Sequence, residues 1–270
     1  MQSINVQSPK SQKNKATPPK QSKCQLKFDY SPSSDGIDYN LLILFHGLGD
    51  SKKPFAQLGT KLNLPQTATL AIQAPEPVPY MDGCYQWYPS FDFLTGDMLT
   101  PANPERLKGL FRTRKLVSEL LEHLITDCGF EASRIFLFGF SQGGTVALDI
   151  ALFGSEIRNL GGVISISGYL LEEQRTDKKI GNGYGGYILV TQGEKDQVIG
   201  NRNQGEKKFK EIQRLCSPDA ITSQVFISNK DHTMANSSAE WRIIHTFFAE
   251  RMPRRNLQLE SMSDIYLVNP

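Results

Sequence analysis

Residues 134–140 read RIFLFGF, almost continuously apolar, and run straight into SQGGTVALDIALF. A strand with one wet face alternates apolar and polar residues, so a run like this one needs cover on both faces. Other segments of strand length recur along the chain: CQLKFDY (24–30), NLLILF (40–45), TATLAIQ (67–73), GVISIS (162–167), YILVTQ (187–192) and ITSQVFI (221–227). Between them, 54–63, 104–127, 142–153, 205–216 and 236–251 space their apolar residues by three and four, as helices do. Asn236 or Ser237 can cap the last helix, and Pro253 ends it. Strands alternating with helices predict an α/β fold with a mostly parallel central sheet and helices on both faces. Sites in such sheets lie beyond the carboxyl ends of the strands.

The chain has 270 residues, 39% of them hydrophobic, enough for one large core or two small ones. Its first thirty residues carry six lysines against Asp29, a surplus of five; the whole chain is only +2, so the remainder is −3. The basic character belongs to the tail, and a nucleic-acid-binding face on the body is not indicated. Residues 1–22 are expected to be a disordered basic tail, 23–252 the folded domain and 253–270 a C-terminal tail. The tail has no apolar run, and no integral membrane segment is expected elsewhere. Cys24, Cys84, Cys128 and Cys216 are scattered without metal-like spacing, which suits free thiols in a reducing, cytoplasmic compartment.

Gly139-Phe140-Ser141-Gln142-Gly143 stands where a buried strand becomes a helix. A sharp turn there forces the serine into a strained conformation and brings the residues two before and two after it together, which only glycine tolerates. This is the G-x-S-x-G nucleophile elbow. The N–H of Gln142, in the first turn of the new helix, can donate to an oxyanion. A glycine-rich turn with an ordinary serine is the bland alternative.

A nucleophilic serine needs a base, and the chain offers four histidines. His123 and His245 fall inside helical patterns, and His46 follows an early strand. His232 stands in NKDHTMAN, the loop after the last strand, and the chain order Ser, acid, His of this motif selects it. The acid should follow the preceding strand, where QGEKDQVIG offers Glu194 and Asp196. Asp196 is favoured, being the shorter acid and about four residues beyond the strand end. Asp231 is adjacent to His232 in sequence and poorly placed to reach the same ring. In FHGLGDS (45–51), the Leu48 N–H is the expected second oxyanion donor, and His46 is expected to orient that loop.

The segment from Pro75 to about Pro104 is rich in aromatics, and Trp87, Tyr88, Phe91 and Met98 are candidates to wall an acyl pocket. The competing reading is that half of these residues form the loop's own core.

HGLGD, APEPVP, GFSQGGTVAL, QGEKDQVI and DHTM, in that order, resemble the phospholipase/carboxylesterase branch of the α/β-hydrolases over about residues 38–252. That branch includes acyl-protein thioesterases and lysophospholipases. The resemblance implies an α/β-hydrolase fold with no separate cap domain, the triad Ser141, Asp196 and His232, and no cofactor or metal. It implies hydrolysis of acyl esters or thioesters, with a lipidated protein among the candidate substrates and an acyl-enzyme intermediate. The alternatives are a non-catalytic hydrolase-fold binding protein, and a small-metabolite esterase or lysophospholipase. This chain departs from the family in having Gln197 after the acid and Ser228-Asn229-Lys230-Asp231 before the histidine, where glycine is usual. YQWYPSFDFLTGD (85–97) replaces a shorter stretch, which bears on substrate choice.

Overall fold

The computed structural model describes residues 16–101, 103–154, 159–176 and 183–256. In chain order the elements are β1 (Phe28–Ser31), β2 (Asn40–Phe45), α1 (Lys52–Leu62), β3 (Thr67–Ile72), β4 (Glu76–Pro77), β5 (Tyr85–Gln86) and α2 (Pro104–Thr126). There follow β6 (Ile135–Phe140), α3 (Gln142–Phe153), β7 (Gly162–Ile166), β8 (Tyr187–Gly193), α4 (Arg202–Leu215), β9 (Ile221–Ile227) and α5 (Ser238–Arg251).

Seven strands form one sheet in the order β1-β3-β2-β6-β7-β8-β9, and β4 and β5 form a small separate hairpin. All neighbours in the large sheet run parallel except β1, which is antiparallel to β3. Successive residues of β2 alternate between the two cores. Leu41, Ile43 and Phe45 join the layer built from α2, α3 and α4; Leu42 and Leu44 join the layer of α1 and α5. Every residue of β2 is buried, and so is β6 up to Gly139. This explains why neither strand alternates in polarity.

Local chemistry sets the element ends. The Asn103 side chain accepts the Glu105 N–H at 2.9 Å and Pro104 opens α2, a favoured first-turn residue because its missing N–H would be unpaired there anyway. Asn201 and Gln204 form a reciprocal capping box, which starts α4 at Arg202 rather than at 205. Residues 24–27, expected as strand, stay outside β1 because Gln21 satisfies this stretch. Its amide donates to the Leu26 carbonyl at 2.9 Å and its oxygen accepts the Phe28 N–H at 3.3 Å.

The boundary expected at residue 22 also moves. Thr17 N–H donates to the Cys128 carbonyl at 2.9 Å, and Ala16 packs against the core. A carbonyl left open beyond the end of α2 thus finds its donor in the lysine- and proline-rich segment. Residues 1–15 lie outside the described residues. At the other end, Arg255 N–H donates to the Gln66 side chain at 2.7 Å and its carbonyl accepts from the same amide at 3.0 Å. Residues 253–255 therefore run along the body, and 257–270 lie outside the described residues. No helix among the described residues is long and apolar enough to cross a membrane.

Candidate active site

Ser141 sits between the end of β6 and the first residue of α3 with φ 52° and ψ −118°, a region that side chains rarely occupy. Its N–H is held by the Ile166 carbonyl at 2.9 Å, and its carbonyl accepts from Thr145 at 3.0 Å. The glycines are required by close backbone approach. A Cβ on Gly139 would run into the carbonyl of Gly143, and a Cβ on Gly143 would run into the carbonyls of Phe45 and His46. The elbow is thereby pressed against the end of β2 as well as bent on itself.

The half-buried His232 places Nε2 2.8 Å from Ser141 Oγ. Its Nδ1 lies 3.0 and 2.9 Å from the two oxygens of Asp196. An ionised carboxylate only accepts, so Nδ1 carries the proton and Nε2 accepts from the serine hydroxyl. The Asp196 side chain has no solvent exposure, and its Oδ1 also accepts the Val198 and Ile199 N–H groups, each at 3.0 Å. Burial alone would push this carboxyl up. The hydrogen bonds from His232 and Ile199 and the attraction of the imidazole outweigh it, and the group is held below the ordinary carboxylate range. A hydroxyl, an imidazole and a buried carboxylate thus form one hydrogen-bonded chain from residues 91 and 36 positions apart. Such a chain can carry a proton away from Ser141 and stabilise the resulting imidazolium.

The other acids are placed differently. Glu194 is exposed and pairs with Arg202 at 2.8 Å. Asp231 is exposed.

His46 is fully buried. Its Nε2 accepts the Ala74 N–H at 3.1 Å, so Nδ1 bears the proton and donates to the Gly47 carbonyl at 2.7 Å. Burial holds this imidazole below its ordinary value, so it is a neutral brace for the turn that contains Leu48. Gln142 N–H is one of the donors that a helix start leaves without an intrahelical partner. Leu48 is half-buried in the facing turn, whose Gly49 N–H is tied to Tyr85 O at 2.9 Å.

The Gln142 side chain has a role that the motif did not reveal. Its oxygen accepts the Trp87 N–H at 2.9 Å, and its amide donates to Tyr88 O at 3.1 Å and Ser90 Oγ at 2.6 Å. It fastens the aromatic segment to the elbow. Trp87 is fully buried, its indole N–H donating to His46 O at 2.7 Å, and Tyr88 is also buried in the core. The expectation that these two wall an acyl pocket does not fit Trp87, which has no exposed surface and whose indole N–H is satisfied inside, while Tyr88 keeps only 5% of its surface exposed. Phe91 is half-buried and Met98 exposed, and the two form an antiparallel bridge.

The phospholipase/carboxylesterase family model matches residues 33–238. The chain belongs to that family. Among curated members it is 44% identical over 146 residues to an uncharacterized hydrolase of Mycosarcoma maydis, covering 52% of this chain and 53% of that one. It is 33% identical over 130 residues to acyl-protein thioesterase 1 of Cryptococcus neoformans, covering 47% of this chain and 52% of that one. The chain thus spans about half the length of the curated relatives it matches. Among solved structures, esterase PE8 covers 84% of this chain and 99% of its own with a TM-score of 0.69 at 24% identity. Acyl-protein thioesterase 2 of Zea mays covers 84% and 99% with a TM-score of 0.64 at 18% identity. At those identities the likeness is one of fold, and it places this family member's sheet among those of α/β-hydrolases.

Proposed function

We propose that this protein is a serine hydrolase of carboxylic esters or thioesters that works through an acyl-enzyme. The observation that carries the reading is the 2.8 Å contact between Ser141 Oγ, on a strained elbow, and His232 Nε2, whose other nitrogen is held by buried Asp196. In this reading His232 Nε2 takes the Ser141 proton as Oγ attacks the acyl carbonyl. Asp196 fixes the tautomer and stabilises the imidazolium. The N–H groups of Leu48 and Gln142 bind the oxyanion. The imidazolium gives its proton to the departing alcohol or thiol. Water, deprotonated by the same base, then frees the acid and restores Ser141. The chemistry proposed here needs no metal.

An apolar acyl group suits the aromatic segment. Its root is bonded to Gln142 through Ser90 at 2.6 Å, while Phe93, Leu94 and Met98 on its outer part are 72%, 83% and 73% exposed. The names of the thioesterase relatives support an acylated protein as one substrate class, and four free cysteines support a reducing, cytoplasmic setting.

A fluorophosphonate probe tests the reading. It should label Ser141 alone, and Ser141→Ala should abolish labelling. A panel of short nitrophenyl esters, a long-chain acyl-peptide thioester and lysophosphatidylcholine then ranks the leaving groups. Labelling at another residue would overturn Ser141 as the nucleophile, and no labelling would leave a hydrolase-fold binding protein as the better account.

A further inference from the structure

We infer that Lys230 and Glu240 are positioning residues for His232, a buried ion pair that fixes the imidazole's loop against the loop carrying Asp196. The inference rests on the hydrolase reading above.

Lys230 and Glu240 are 1% and 0% exposed, and Lys230 Nζ lies 2.5 Å from Glu240 Oε1. The same oxygen accepts the Thr191 hydroxyl at 2.7 Å. Glu240 is in the first turn of α5, where its N–H is bound by the capping Ser237 hydroxyl at 3.2 Å. Thr191 belongs to β8, the strand that delivers Asp196. The main chain adds a second tie, because the Lys230 carbonyl accepts the Lys195 N–H at 2.9 Å. Gly193 is needed beneath this contact, since a Cβ there would meet the carbonyls of Lys230 and Asp231. Asn229 turns the chain with φ 57° immediately before. The lysine two residues ahead of His232 is thus fixed at its carbonyl to the acid's loop and at its ammonium to a helix start and the acid's strand.

A buried charge pair is a costly way to fill space, and apolar residues of similar volume often serve stability as well or better. What apolar residues cannot supply is direction. Nζ is held on one oxygen that Thr191 also holds, and this fixes the loop along a line rather than within a volume. A displacement of about 1 Å at the base can cost about a hundredfold in rate.

The test compares Lys230→Met, Glu240→Gln, Thr191→Val and the double variant Lys230→Met/Glu240→Leu, with active sites counted by fluorophosphonate. Positioning predicts that kcat per active site falls about ten- to hundredfold in the first two with KM within about twofold, and less in Thr191→Val. The apolar double variant should keep the parent's melting temperature yet stay slow in both turnover and Ser141 phosphonylation. A double variant with parental kcat, or single variants that lose melting temperature but keep kcat per site, overturns the proposal. Thr191→Val preserves volume and the charge pair, so it reports even if Lys230→Met does not fold; a parental kcat there also counts against the proposal. Failure of the hydrolase reading is seen separately, as a parent protein that the probe does not label.

Discussion

The elbow at Ser141 and the aromatic segment at 75–101 meet at Gln142, yet they are held by opposite means. At the elbow, backbone presses on backbone, and no side chain but hydrogen fits at 139 or 143. In the segment, long side chains reach across to main-chain atoms: Gln142 to Trp87 and Tyr88, the Trp87 indole to His46, and Thr113 to the Trp87 carbonyl. Its outer part is held more lightly still, by the Tyr80 hydroxyl on the Phe93 carbonyl at 2.7 Å and by stacking of those two rings, both mostly exposed. The first arrangement admits one geometry. The second fixes its root and leaves its tip open to variation. A hydrolase gains from this division, because the attacking atom must be placed closely while the acyl group to be accepted varies.

The comparison is broken most severely on the elbow's side. Asp196→Asn should lower kcat/KM by up to about 10⁴ while circular dichroism stays unchanged, since the amide favours the wrong imidazole tautomer. Glu194→Gln, exposed and paired with Arg202, should remain within a few-fold on the same ester; a crippled Glu194→Gln would move the acid's role to that residue. Asp196→Asn also has a pH signature. Asp196 is held below the ordinary carboxylate range in the folded protein, so its ionisation contributes stability above its unfolded pKa, near about 3.9. That contribution is lost as pH falls through the lower folded value. The stability gap between Asp196→Asn and the parent should therefore narrow below about pH 4 in urea titrations.

Within the segment itself, root and tip should separate. Trp87→Ala removes a fully buried indole and its bond to His46, and should cost about 3–5 kcal/mol by denaturant melts. Activity should fall with it, because His46 braces the Leu48 turn. The smallest effect is expected at Phe93→Ser, which should change stability by no more than about 0.5 kcal/mol. It should raise KM for a long acyl chain more than for an acetyl ester. Equal KM changes for both would detach the tip from substrate selection.

The same division explains what could be read before the structure. Glycines forced by backbone contact name themselves, so the strand, the turn and Ser141 were visible as one motif. His232 and Asp196 followed from loop position, and they lie with Ser141 in one hydrogen-bonded chain. The strands β2 and β9 match the apolar runs residue for residue, whereas the antiparallel course of β1 and the strand order depend on partners distant in sequence. Trp87 and Tyr88 were candidates for a pocket wall because aromatic composition alone does not separate a loop's core from its surface. Lys230 resembled any loop cation; only its burial against Glu240, ten residues on, sets it apart.

The strand order has a consequence for how this protein comes into being. Ser141 leaves β6 at the middle of the sheet, while Asp196 follows β8 and His232 follows β9, the outermost strand on that side. Contacts between residues so far apart in the chain carry a loop-closure cost and form slowly. A partly folded chain could hold its central strands and its elbow while the last strand is still undocked, and it would then be inert. On the hydrolase reading proposed above, activity requires the sheet's far edge to be docked, because His232 reaches Ser141 from the loop that follows β9.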